Sequence, residues 1–195
     1  MLAFTRLAGA LGILTPIVMF GFILVAIGLS PWFSWQKNDL SDLGLNAMPN
    51  PFNATLAIGG AFYLVFVIGL LRWLGPSSFQ SKLGGALMGL GAVALLLSGI
   101  LTEYAGRIHH VMAVVYFVAT PLAYLCIGAH LLRQGEVVAG VLSLAAGLAI
   151  FCMIFAVPHD GWAVPEILAA LIIGAWTLSF GVKLLFAVTK DAVSA

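Results

Sequence analysis

The apolar residues of this chain come in long runs, separated by short stretches where Pro, Gly and charged residues gather. A bilayer core of about 30 Å is crossed by roughly 20 apolar residues as a helix. Six runs of that kind predict helices over about 8–30, 51–74, 82–102, 108–132, 137–157 and 164–187. The punctuation fits the breaks. Ser30-Pro31 closes the first run, Pro49 and Pro51 bracket the start of the second, and Gly75-Pro76 ends it. Gly106 and Gly135 mark the next two turns, Pro158 stops the fifth run, and Pro165 sits where a first-turn proline is tolerated. The run after MLAFTR is too long for a signal-peptide core and lacks a small-x-small cleavage site, so it is read as the first span.

The fold class is therefore all-α: a polytopic membrane protein, a bundle of six transmembrane helices forming one transmembrane domain over residues 1–195. Composition agrees, with 63% hydrophobic and 8% charged residues and a mean hydropathy of +1.15; soluble domains are about half apolar and a quarter charged. The net charge of +1 offers no basic patch for phosphates, which excludes a nucleic-acid partner. Membrane lipids are the expected partners, and homo-oligomerisation is open. Gly85-x-x-x-Gly89 and Ala8-x-x-x-Gly12 would permit close helix packing. Cys126 and Cys152 fall at opposite depths of antiparallel neighbours, so they read as packing residues, not as a disulfide.

Basic residues set the orientation. Arg6, Arg72, Lys82, Arg133, Lys183 and Lys190 fall on one side of a six-span chain, against Lys37 and Arg107 on the other. The positive-inside rule then places both termini in the cytoplasm, in the cell membrane. Acids show the reverse bias. Asp39, Asp42, Glu103, Asp160 and Glu166 lie at the outer end, with only Glu136 and Asp191 inside. His109, His110 and His159 are also outer, and His130 is alone at the inner end.

Three stretches build this outer polar layer. In the connector WQKNDLSDLG, Asp39 and Asp42 read either as helix-capping acids or, with Ser41, as groups aimed into the mouth of the bundle. Glu103 precedes His109 and His110, which point about 100° apart on one helix, so only one of them faces a cavity easily. His109 shares its stripe with Tyr116 and Thr120. In PHDGW, residues 158–162, His159, Asp160 and Trp162 precede Glu166. That Glu reads as a dipole partner or as an interior-facing acid that marks function.

The pattern of Trp32, Phe33, LSDLG and Pro-Phe-Asn over residues 32–53 resembles the six-span family catalogued as domain of unknown function 998. Ser41, Asp42, Leu43, Gly44 and Asn53 carry that likeness, as do Glu103 with His109 or His110, and Glu166 with Trp176. The resemblance implies a site shared by the outer loops; it implies no activity.

Four functions are open. The leading expectation is a metal-dependent hydrolase of a lipid or amphiphile. In it Glu166, Asp42, Ser41 and Glu103 are catalytic candidates, Asn53, Tyr116 and Trp162 contact substrate, and His109, His110, His159 and Asp160 hold a divalent metal such as zinc. The alternative is a lipid- or solute-binding protein or carrier, although mid-span breaks are confined to Thr15-Pro16 and Thr120-Pro121. A haem-binding redox protein ranks below both, because His130 lacks a partner on its own side. A structural assembly subunit would need neither ligand nor turnover.

Overall fold

The computed structural model describes residues 2–45, 51–75 and 77–187; Pro49, Pro76, Lys190 and Asp191 lie outside the described residues. Six α-helices follow one another: α1 (Leu2–Gly28), α2 (Pro51–Leu74), α3 (Phe79–Ile100), α4 (Arg107–Arg133), α5 (Val137–Ala156) and α6 (Ala163–Leu185). Each is long and apolar enough to cross a membrane. Short 3-10 turns at Leu40–Leu45 and Glu103–Ala105 complete the secondary structure, and no strand occurs among the described residues. The protein is an all-α, six-span membrane protein.

Two boundaries move. α1 begins at Leu2 and not near residue 8. α3 begins at Phe79 and not at 82, because Ser78 caps it: Ser78 Oγ accepts from Ser81 N at 3.1 Å while Ser81 Oγ accepts from Ser78 N at 3.1 Å. This is a capping box in which the usual Glu is replaced by Ser, so the usual Ser-x-x-Glu signal is missing. Pro16 and Pro121 break neither α1 nor α4, which run through them.

Each helix packs on its chain neighbours and α6 closes on α1, so the six form a ring whose least extensive seam is α5–α6. Lipid offers no hydrophobic drive for helix association, so close packing must hold the ring. Ala8 meets Gly69 and Gly12 meets the Phe66 ring, whereas Gly85 packs on Leu71 and Gly89 faces open space. The first expected small-residue pair is thus a packing seam and the second is one only at Gly85. The centre is aromatic. Trp176 stacks between Tyr124 and Phe180, with ring centroids 4.1 and 4.2 Å away, and meets Phe66 edge-on. Its Nε1 donates to Ser143 Oγ on α5 at 2.9 Å, a polar tie across the loosest seam.

The loops gather by charge. At the basic end, Arg72 lies over the Phe4 ring, Lys183 bonds Glu136 at 2.6 Å, and His130 is buried with Nδ1 3.0 Å from Ser78 Oγ. Ser78 Oγ already accepts from Ser81 N, so its proton is available to His130. Cys126 and Cys152 are free thiols. At the opposite, acidic end the three loops 29–39, 101–106 and 157–162 meet.

Candidate functional site

The acidic end is built from backbone pairings that clamp the first loop onto the last. Gly161 N donates to Gln36 O at 2.9 Å and Ala163 N donates to Asn38 O at 3.0 Å. Trp162 N donates to Asp39 Oδ1 at 2.9 Å, and Leu40 N donates to Glu166 Oε2 at 2.8 Å. Gly161 is required here, because a Cβ would sit 2.5 Å from Lys37 C and against Asn38 O. Backbone groups this close to hydrocarbon must be paired, and these bonds do so.

Within this clamp the connector folds on its own side chains. Asp42 Oδ2 accepts from Asn38 Nδ2 at 2.9 Å and from Asp39 N at 3.0 Å. The Asp42 carboxylate therefore braces the turn that carries it, the capping role of the two readings given above. Leu40 and Leu43 are buried beneath it against Phe52 and Ala163. Asn53 Nδ2 donates to Gly44 O at 2.9 Å, and a Cβ on Gly44 would stand 2.6 Å from Asn53 Oδ1. Tyr104 reaches across from the second loop to donate to Leu45 O at 2.8 Å. Ser41, Asp42, Leu43, Gly44 and Asn53 thus make one structural unit, from which Ser41 borders a cavity.

That cavity begins as a mouth of about 160 Å³ lined by Asp39, Ser41, Glu103, His109, His110, Trp162 and Glu166, with apolar walls from α4 and α5. It continues into a throat of about 70 Å³ that shares Ser41, His109, Phe117 and Glu166 with the mouth and adds Ser98 and Tyr116. An inner extension of about 30 Å³ shares Tyr116 with the throat and reaches Tyr63, Thr15 and Thr177 near mid-span. Polar groups therefore crowd the mouth, and the lining turns apolar with depth. The walls at Val114 and Phe155 are also exposed on the outside of the ring, so the mouth borders the lipid-facing surface.

His109 is the histidine that turns inward. It is buried at 3% exposure, whereas His110 is exposed at the rim. His109 Nδ1 lies 2.8 Å from Leu101 O and 3.1 Å from Ser98 O, and Nε2 lies 3.2 Å from Glu103 Oε2. Carbonyls only accept, so Nδ1 carries a proton. Nε2 faces Glu103 Oε2 as a close polar pair across the mouth. Glu166 spends one carboxylate oxygen on Leu40 N; the other has no hydrogen bond among the described residues.

His159 and Asp160 are not brought to this cavity. They line a separate depression with Trp35, Gln36 and Pro158, and the His159 ring rests on Trp162, centroids 4.0 Å apart. Trp162 stands between the two hollows. Among the described residues no three His, Cys, Asp or Glu side chains are grouped to hold a metal. His109 Nε2 and Glu103 offer two donors, so the four expected metal ligands do not form one zinc set as placed.

Sequence reading named Thr120 but passed over two inner hydroxyls, those of Tyr63 and Tyr124. Tyr63 on α2 and Thr120 and Tyr124 on α4 are fully buried, and their hydroxyls have no partner at bonding distance among the described residues. A tyrosine inside a span counts as apolar in a hydropathy scan, so the signal available was position: Tyr116, Thr120 and Tyr124 recur every four residues along α4. Trp176 was singled out with Glu166, and it lies in the aromatic core, far down α6 from the mouth.

No curated protein and no solved structure matches the chain. Residues 10–183 match the profile of the family described as Protein of unknown function (DUF998), and the chain belongs to that family.

Proposed function

We propose that this protein binds an amphiphile at its acidic end, with the polar head in the mouth and the chain against α4 and α5, and that this end faces the outside of the cell. The observation that carries the reading is the graded cavity: carboxylates, imidazoles and Ser41 at the mouth, an apolar throat, and a rim that borders the lipid surface. A space of about 160 Å³ suits a head group and its first carbons, leaving the tail in the bilayer. The experiment is extraction of the protein purified in nanodiscs, with mass spectrometry of what comes with it. The wild type carries a defined amphiphile, and Ala113→Trp, which fills the mouth and throat from α4, loses it. Equal recovery from both proteins, or none from the wild type, would sink the reading.

One observation favours a second reading, hydrolysis of the bound amphiphile. Ser41, His109 and Glu166 border both the mouth and the throat, where a water or a hydroxyl nucleophile needs an acid–base partner. In that reading Glu166, with one free carboxylate oxygen, is the general base, and the His109–Glu103 pair passes a proton. A divalent metal would start from His109 Nε2 and Glu103 and would draw further ligands from His110 or water. Turnover of ester- and amide-linked single-chain probes by the wild type, lost in Glu166→Gln, tests it; no turnover of either class leaves binding alone.

A further inference from the structure

The cavity does not end at the throat. Its inner extension, about 30 Å³, lies near mid-span and is walled by Pro16, Met19, Leu95 and Ile173. Four buried hydroxyl residues, each on a different helix, also line it: Thr15 on α1, Tyr63 on α2, Tyr116 on α4 and Thr177 on α6.

These groups complement one another. Thr15 Oγ1 donates to Leu11 O and Thr177 Oγ1 donates to Ile173 O, each at 2.7 Å within its own helix. Both protons are spent, so the two oxygens are left as acceptors. Tyr63 is the reverse case. It is 1% exposed, and its hydroxyl makes no hydrogen bond among the described residues. The hydroxyls of Thr120 and Tyr124 are near enough to interact with it, yet they too stand without a hydrogen bond. An unpaired phenol proton is costly in the apolar interior of a bundle, where no bulk solvent relieves it.

Size and charge decide what satisfies it. A water needs about 10–15 Å³ of such space and two to four polar partners. The extension has that room, with Tyr63 and Tyr116 as donors and Thr15 and Thr177 as acceptors. A cation would find no carboxylate among the lining residues, at a depth where an unpaired charge is most expensive. An alkyl tail would fill the space and leave the Tyr63 proton unpaired.

We infer that the inner extension is a water site. An ordered water accepts from Tyr63 and Tyr116, donates to Thr15 and Thr177, and ties α1, α2, α4 and α6 together at mid-span. The extension shares Tyr116 with the throat, and the throat shares Ser41, His109 and Glu166 with the mouth. The water therefore exchanges with the acidic end, and the bundle is hydrated from that end to the middle of the membrane. This inference stands apart from the amphiphile reading.

The test is hydroxyl-radical footprinting of the whole protein in nanodiscs soaked in heavy-oxygen water. Radicals made from a bound water attack the ring beside it, and tandem mass spectrometry reads the heavy oxygen added to each tyrosine. The wild type gains label at Tyr63 and Tyr116 but not at Tyr124, which is fully buried and does not line the extension. Thr15→Val combined with Thr177→Val keeps the shape and removes both acceptors. Label at Tyr63 is lost in that variant, while exposed Tyr104 labels as before. No label at Tyr63 in the wild type overturns the inference, and so does label there that survives the double substitution. Equal label at Tyr63 and Tyr124 also overturns it, because that pattern reports general permeation and not a site. If the double variant fails to fold, the wild-type contrast between Tyr63 and Tyr124 decides alone.

Discussion

The Nε2 of His109 lies 3.2 Å from Glu103 Oε2, while its Nδ1 lies 2.8 Å from Leu101 O, so both ring nitrogens of a buried imidazole are engaged. The ring fastens the start of α4 to the end of α3 and to the 3-10 turn between them. Replacing His109 by Ala leaves buried carbonyls unpaired and opens a hole, which together cost about 2–4 kcal/mol. His110→Ala, at the exposed rim, should stay within about 0.5 kcal/mol of the wild type. Glu103→Gln should be mild, because an amide N–H can donate to Nε2. Thermal unfolding of the three variants in one detergent checks the order. A His110 cost as large as that of His109 would mean the inward histidine is misassigned.

Gly161 and Gly89 give opposite expectations for the same substitution. A Cβ on Gly161 would press into the backbone of residues 37 and 38, whereas Gly89 has nothing within 4 Å. Gly161→Ala should therefore destabilise by about 1–3 kcal/mol through forced backbone shifts. Gly89→Ala, within α3, should be neutral or stabilise by up to about 1 kcal/mol through helix propensity. Guanidine-independent measures such as steric-trap or thermal unfolding compare them directly. Similar effects at both sites would show that the loop clamp does not bear on stability.

Sidedness follows from the split of charges and has a direct readout. On a background with Cys126 and Cys152 replaced by Ala, a cysteine at Lys37 and one at Gln134 sit at opposite ends and both are exposed. In intact cells an impermeant maleimide should label Lys37→Cys and spare Gln134→Cys until the membrane is opened. The reverse pattern would put the mouth on the cytoplasmic side and remove the outward-facing part of the proposal.

How much of this was legible beforehand depends on the kind of signal. The six spans were readable because a run of apolar residues is long, local and tied to bilayer thickness. The shared location of the acids was readable too, since alternate loops must return to the same side. Pairings were not. Nothing in the sequence says that Gly161 pins loop 157–162 against residues 36–38, which carries His159 and Asp160 into their own depression and leaves Trp162 in the mouth. Nor does residue type reveal that Asp42 is consumed by Asn38 Nδ2 and Asp39 N while Asp39 turns to Trp162. The choice between His109 and His110 needed the actual phase of α4 against α3, which a predicted boundary uncertain by a residue or two cannot fix.

The seam between α5 and α6 makes the last prediction. These helices pack less extensively than any other neighbouring pair, and Trp176 Nε1 to Ser143 Oγ at 2.9 Å is the side-chain hydrogen bond that joins them in mid-bundle. Ser143 Oγ donates onward to Ala139 O at 2.7 Å, so its lone pairs are free to accept the indole proton. Ser143→Ala strands that N–H in the core and should cost about 1–3 kcal/mol. Trp176→Phe removes the donor but keeps an aromatic ring between Tyr124 and Phe180, losing part of the stacked area. If the bond is what Ser143 contributes, the serine substitution should cost little once Trp176 is Phe, giving a coupling of about 1 kcal/mol in the double-mutant cycle. Strictly additive losses would mean that Ser143 acts through volume alone, and that packing without a polar tie holds the seam closed.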